Sequence, residues 1–170
     1  YNITADTVDK IIPIPTSGFY RDAIRISDTE VVLCKTKAKT VHYHIDTETY
    51  EETVRANNNN DSISYSGAAL LPSGNIIQTA VRAPSFAIYD PAQKMYVNYI
   101  PHNETNNQDG AAYFHDASIT SNGNAVFAPW GAGKIAVYNE TTNTLNKVSF
   151  NKKGDPAFGG TGLLPDGKVV

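Results

Sequence analysis

Four short polar segments contain the side chains of this sequence that are best suited to binding a ligand. Each follows an aromatic residue and precedes a small one, and the pair differs between copies: Arg21-Asp22, Ser66-Gly67, His115-Asp116 and Gly159-Gly160. Arg and His donate hydrogen bonds to phosphate or carboxylate oxygens, whereas Asp accepts them from sugar hydroxyls. We therefore expect a polar ligand to bind at Arg21, Asp22, Ser66, His115 and Asp116. The alternative is that Asp22 and Asp116 cap nearby backbone groups.

Two loops carry further candidates for ligand binding. Arg82 lies in the segment Val81-Arg82-Ala83-Pro84, and Trp130, the one tryptophan of the chain, lies in Pro129-Trp130-Gly131. The neighbouring Pro and Gly residues are typical of loops. An indole ring exposed on a loop is a natural platform for a sugar ring, so Arg82 and Trp130 join the expected site. Trp130 can equally fill a gap between structural repeats.

The residue types that would support catalysis or metal binding form no recognised motif. The sequence contains no G-x-S-x-G, P-loop or H-E-x-x-H pattern. His42 and His44 are spaced for one face of a strand and are compatible with a metal pair, but solvent exposure is the preferred interpretation. Cys34 stands alone and is interpreted as a small buried apolar residue. We therefore assign no catalytic residue, no metal site and no cofactor, which favours a non-enzymatic protein.

The composition argues against two classes of partner. The 170 residues carry a net charge of -3, and the longest run of basic residues is Lys152-Lys153. Nucleic-acid binding needs a basic patch, so nucleic acid is disfavoured as a partner. No apolar stretch approaches the length of a membrane span, so we expect no membrane partner.

The elements that position the candidate residues are repeated along the chain. Segments 70–77, 119–126 and 163–170 read LLPSGNII, ITSNGNAV and LLPDGKVV, and their shared turn glycines are 49 and 44 residues apart. A second landmark, a turn after an apolar-aromatic strand, recurs with matching spacing at Asp46, Asp90 and Asn139. A period of this length, built from short strands and turns, is typical of the blades of a β-propeller.

Each repeat is predicted to form four short strands and no helix, with the innermost strands beginning at Ala23, Ala68 and Ala117. The predicted fold is all-β, a β-propeller of four-stranded antiparallel blades in one domain, 1–170. Three blade units fall at roughly 18–60, 61–110 and 111–155, with half-blades at 1–17 and 156–170. Because both ends fall within a blade, we expect part of a larger propeller. The alternative is a four-bladed ring in which the half-blades share a sheet.

The blade pattern resembles the propeller repeats of some bacterial and bacteriophage surface proteins. It combines L-L-P-[SD]-G-[NK]-[IV]-[IV], a later proline at Pro84 or Pro129, and [IV]-Y-[DN]. It is similar in particular to repeats of tail-fibre receptor-binding proteins of phages that infect Gram-positive hosts. The resemblance implies a virion or cell-surface recognition module that binds a cell-surface polysaccharide or wall polymer, with other virion or surface proteins, in a trimeric fibre. Two alternatives stay open, a carbohydrate-active hydrolase or lyase and a protein-interaction scaffold.

Overall fold

The structure, a computed structural model, describes residues 20–35, 39–53, 65–103, 113–149 and 158–170. It contains three four-stranded antiparallel sheets, and the described residues include no helix. Within each sheet the strands pair in their order along the chain. These sheets are blades of a β-propeller, so the fold class predicted from the repeat is confirmed.

The strand bounds show where each blade begins and ends. Blade 1 contains β1 (Tyr20–Arg25), β2 (Glu30–Lys35), β3 (Lys39–His44) and β4 (Thr49–Glu52). Blade 2 contains β5 (Tyr65–Leu70), β6 (Ile76–Ala80), β7 (Ser85–Asp90) and β8 (Met95–Pro101). Blade 3 contains β9 (Phe114–Ile119), β10 (Ala125–Pro129), β11 (Lys134–Asn139) and β12 (Thr144–Ser149). Each inner strand begins three residues earlier than predicted, at an aromatic residue, so the candidate polar pairs lie within these strands.

The repeated glycine turn is required by the backbone conformation. Gly74, Gly123 and Gly167 have φ values of 90°, 82° and 82°, a region that residues with a Cβ rarely adopt. Two of these turns also lie close to the turn of the preceding repeat. At Gly123, for example, an added Cβ would lie 2.9 Å from Pro72 Cγ. The recurring glycine is therefore required by the tight hairpin turn and, at Gly123 and Gly167, also by the close packing of neighbouring repeats.

The core lies between the blades. Phe86 of β7 stacks on Phe127 of β10 with ring centroids 4.0 Å apart, and it also contacts Phe114 of β9 at 4.9 Å. All three rings are fully buried. Inner strand β5 is buried from Tyr65 to Ala69, as expected for a strand packed between β1 and β9. Its small residues allow these neighbours to approach closely.

The outer strands are more exposed than the inner ones. Every residue of β4 is exposed, and β12 alternates between exposed and half-buried residues over Thr144–Val148. The alternation in β12 is typical of an outer strand with one face towards solvent.

A short antiparallel hairpin follows blade 3. Leu163 and Val169 form a bridge, and Gly162 and Val170 exchange backbone hydrogen bonds of 2.8 and 2.9 Å. This hairpin falls in the predicted half-blade 156–170, whereas the predicted half-blade 1–17 lies outside the described residues. No helix long and apolar enough to cross a membrane occurs in the described ranges.

Candidate ligand-binding cavity

A cavity of about 340 Å³ lies where the inner strands of successive blades begin. Its walls combine all three blades with the segment that follows them, and the lining residues are Arg21, Asp22, Ser66, Gly67, His115, Asp116 and Gly159. Five of the seven residues expected to bind a ligand therefore share one cavity. The two others, Arg82 and Trp130, are exposed and do not line it.

A bulge at the start of each inner strand positions these residues. In β1, Tyr20 pairs with Lys35 and Asp22 with Cys34, so Arg21 is the extra residue. In β9, Phe114 and Asp116 pair with successive residues of β10, so His115 is extra in the same way. Bulges bend the strand and redirect side chains, and they are frequent next to binding sites. The sequence did not predict them, because a bulge is defined by the pairing of the strand with its neighbour.

The corresponding bulge in β5 spans two residues. Tyr65 pairs with Ala80 and Ala68 with Gln78, which leaves Ser66 and Gly67 opposite Thr79. The Ser66 hydroxyl donates a hydrogen bond to the His115 carbonyl of the next blade. This hydrogen bond joins blade 2 to blade 3. Because Ser66 is buried, its side chain contributes little surface to the cavity.

Gly67 is required by the close approach of blade 3. A Cβ at this position would lie 2.6 Å from the Cα of Asp116 and 2.8 Å from the carbonyl oxygen of His115. Both are backbone atoms, so a side chain here would force the blades apart. The Ser-Gly pair thus follows from packing between blades 2 and 3.

The Asp22 side chain links blade 1 to blade 2 through a hydrogen bond. Its Oδ1 accepts a hydrogen bond from the Ala23 amide at 2.8 Å, and its Oδ2 accepts one from the Ala68 amide of β5 at 2.7 Å. Burial, and to a lesser degree the charge of Asp116, raise the pKa of the Asp22 carboxyl above its ordinary value.

Asp116 makes the equivalent contact between blade 3 and the segment that follows it. Its Oδ2 accepts hydrogen bonds from the Thr161 amide at 2.8 Å and the Thr161 hydroxyl at 3.1 Å. The backbone-capping role, which the sequence left as an alternative for both aspartates, is therefore observed. Both carboxylates also line the cavity.

His115 and Arg21 have hydrogen-bonding groups that the fold leaves available. His115 Nδ1 lies 3.1 Å from the Gly159 carbonyl oxygen. A carbonyl oxygen can only accept, so Nδ1 donates this hydrogen bond and Nε2 is the ring nitrogen left for a ligand. Among the described residues, neither His115 Nε2 nor the Arg21 guanidinium has a hydrogen-bond partner.

Trp130 extends the site beyond the cavity lining. Its ring centroid lies 5.1 Å from that of His115, with the planes tilted by 32°. The side chain is 41% exposed, so it does not fill a buried gap between repeats. Arg82, on the loop between β6 and β7, is exposed and remains outside this group.

The interpretation of His42 as a solvent-exposed residue is wrong. Its side chain is fully buried, with Nδ1 bonded to Glu30 and Nε2 2.6 Å from the Tyr89 hydroxyl of blade 2. Both ring nitrogens are therefore engaged, which leaves none for a metal pair with His44. No group of three potential metal ligands occurs among the described residues. Cys34 is buried as expected, and burial raises its pKa to about 12.

Comparison with known proteins gives the fold alone. No protein-family model and no curated protein matches the sequence. Solved structures with similar folds include selenomethionine-substituted virginiamycin B lyase from Staphylococcus aureus (16% identity, TM-score 0.66, 89% of this chain and 47% of that one). An auxiliary nutrient binding protein from Bacteroides thetaiotaomicron gives 14% identity, a TM-score of 0.66, and coverage of 90% and 36%.

The WD40 β-propeller domain of Doa1 is similar at 9% identity, with a TM-score of 0.65 and coverage of 88% of this chain and 46% of that one. The chain thus spans less than half the length of each of these three structures. At identities this low, the structural similarity shows the propeller architecture alone. Proteins of this architecture have many unrelated activities.

Proposed function

We propose that this protein is a non-enzymatic recognition module that binds a carbohydrate in the cavity at the start of its inner strands. The observation that carries the proposal is that Arg21 and His115, which occupy equivalent bulges in repeated blades, line one cavity with polar groups that have no hydrogen-bond partner among the described residues. A scaffold that repeats its frame and varies these positions is suited to recognition. The volume of about 340 Å³ lies near the lower end of the range for small-molecule sites, which is about 300–1,000 Å³.

The biological setting that we propose is attachment to a cell surface. The ligand would be a surface polysaccharide or wall polymer, and the chain would belong to a phage tail or trimeric fibre, or to another surface assembly. This part of the proposal rests on the resemblance of the blade pattern to tail-fibre repeats. Trp130, which is exposed beside His115, supports a sugar ligand because aromatic faces accommodate sugar rings.

Glycan-array binding by the full 170-residue chain tests the proposal. Wild type is compared with Arg21→Ala, His115→Ala and Trp130→Ala, and with Gly159→Trp, which places a bulky ring at a lining position where an added Cβ meets nothing within 4 Å. Each variant is expected to lose binding while keeping its melting temperature.

Arg25→Ala is the matched control, since Arg25 lies on the same strand and its charge is paired with Asp28 at the surface. Binding that is unchanged in all four site variants, or an absence of glycan binding by the wild type, contradicts the proposed function.

A carbohydrate-active enzyme is the second candidate, and one observation favours it. Asp22 and Asp116 line the same cavity, and the charge of Asp116 contributes to the raised pKa of Asp22. Two carboxyl groups in one cavity, one of which has a raised pKa, are suited to acid–base chemistry. Release of product from a polysaccharide, abolished by Asp116→Asn while binding persists, would favour this candidate over a purely binding function.

A further inference from the structure

We infer that the unit bound in the cavity is an acidic sugar, whose carboxylate or phosphate group is held by Arg21 while its hydroxyls donate to His115 and Asp116. The inference rests on the proposed carbohydrate-binding function and names the ligand class of that site. The basis for it is the difference between cavity groups that are hydrogen-bonded to other described residues and cavity groups that are not.

The aspartates are largely occupied by the fold. Both oxygens of Asp22 accept backbone hydrogen bonds, one of them from blade 2. Asp116 Oδ2 accepts two hydrogen bonds from Thr161. In the described part of the chain, Asp116 Oδ1 has no hydrogen-bond donor. Among the described residues, Asp116 Oδ1 is therefore the cavity carboxylate oxygen with the most accepting capacity left for a ligand.

Arg21 is the main source of unused donors. Its guanidinium carries five N–H groups, and it makes no hydrogen bond or ion pair with the described residues. Its position on the β1 bulge exposes the side chain at the cavity. A planar guanidinium binds a carboxylate or phosphate through two parallel hydrogen bonds, a geometry that a single neutral hydroxyl cannot provide.

The remaining groups fit the neutral part of a sugar. With Nδ1 donating to Gly159, the Nε2 atom of His115 is left to hydrogen-bond a hydroxyl group, which can both donate and accept. Asp116 Oδ1 is a second acceptor on the same strand. The exposed face of Trp130 lies beside the His115 ring and gives the sugar an apolar surface. One anionic group together with several hydroxyls satisfies all of these groups at once.

The formal charge of the lining does not by itself attract an anion, because one arginine accompanies two aspartates. Backbone and hydroxyl donors, however, compensate the aspartates: Ala23 and Ala68 for Asp22, and Thr161 for Asp116. Arg21 has no such compensation from the described residues. The unpaired donor, rather than the charge sum, therefore determines the ligand group that fits.

Paired ligands that differ only in charge test the inference. One pair is a glucuronic acid oligosaccharide and the same oligosaccharide after its carboxylates are reduced to alcohols. The other pair is a phosphorylated glucan oligosaccharide before and after phosphatase treatment. Dissociation constants are measured by titration calorimetry with the full chain, and the pair that shows the larger charge dependence identifies the anion as carboxylate or phosphate.

Removing the anionic group is expected to weaken binding by about tenfold or more, the scale of a hydrogen bond to a charged group. In Arg21→Gln the charged and neutral members should bind equally, whereas the control Arg25→Gln should keep the full difference. This loss of discrimination is a readout that general unfolding would not produce.

Three results would overturn the inference, and they are distinguishable. If charged and neutral members bind equally, and Gly159→Trp abolishes both, the cavity binds carbohydrate but the acidic-sugar inference is wrong. If the wild type binds no member of either pair, or Gly159→Trp leaves the binding intact, the proposed function itself is contradicted at this cavity. Equal discrimination by Arg21→Gln and wild type would assign anion recognition to another residue.

Discussion

Replacement of Asp22 by alanine should destabilise the protein by separating the inner edges of blades 1 and 2. The Ala68 amide that Asp22 contacts at 2.7 Å belongs to a residue that is only 3% exposed, so water replaces the lost acceptor poorly. A buried donor left without a partner costs about 1–3 kcal/mol. The Ala23 amide, also bonded to Asp22, belongs to an exposed residue and can be hydrated. We therefore expect a loss of about 1–3 kcal/mol in the free energy of unfolding.

Urea denaturation followed by circular dichroism measures this loss. The control is Asp28→Ala, which removes a carboxylate from the turn after the same strand, where its only described ion pair is with exposed Arg25. That change should cost less than about 0.5 kcal/mol. If the two variants lose equal stability, the Asp22 carboxylate does not fasten the blades and the interpretation of the inner junctions is wrong.

The same carboxylate predicts a pH effect of defined sign. Because its pKa is raised in the folded state, the folded protein binds more protons than the unfolded chain between the ordinary and the raised pKa. The stabilising contribution is complete below the ordinary pKa and is lost as the pH rises through the raised value. The stability difference between wild type and Asp22→Asn should therefore fall from acid to neutral pH. A rise over this interval would contradict the assigned shift.

Three further changes test other parts of the structure. His42→Phe should lower the free energy of unfolding by about 1–3 kcal/mol, since it removes the hydrogen bonds that the buried His42 ring makes with Tyr89 and Glu30, and a variant as stable as wild type would refute this role. Gly67→Ala should lower the melting temperature more than Gly133→Ala, since only the first new Cβ would collide with backbone, and equal melting temperatures would contradict the close approach of blades 2 and 3. Cys34, buried and with its pKa raised to about 12, should resist alkylation by iodoacetamide at pH 8 until the protein unfolds, and rapid labelling of the native protein would show that it is accessible.

The fold could be predicted from the sequence because its strongest constraints are local. The glycines at 74, 123 and 167 mark turns with positive φ, and a turn of this kind depends on a few adjacent residues. The spacing between them then sets the length of a blade. Trp130 was likewise expected on a loop from its neighbours alone, and it lies exposed between β10 and β11.

The details of the cavity could not be predicted because they depend on strand pairing within a blade and on contacts between blades. The bulge at Arg21 is defined by pairing with β2, and the Asp22 carboxylate bonds to an amide 46 residues away. His42 provides a clear case, since its burial follows from a partner, Tyr89, that is 47 residues distant in another blade. The repeat alignment nevertheless singled out positions that line one cavity, because residues that differ among equivalent positions lie at the starts of neighbouring inner strands.

A crystal structure of the full chain with an acidic oligosaccharide tests the central claim most directly. The account predicts that a sugar unit occupies the cavity, with an oxyanion within about 2.7–3.2 Å of the Arg21 guanidinium nitrogens and the sugar ring beside Trp130. An oligosaccharide bound to another surface, with the cavity lined by Arg21, His115 and Asp116 left empty, would contradict the claim that these inner-strand bulges form the ligand site.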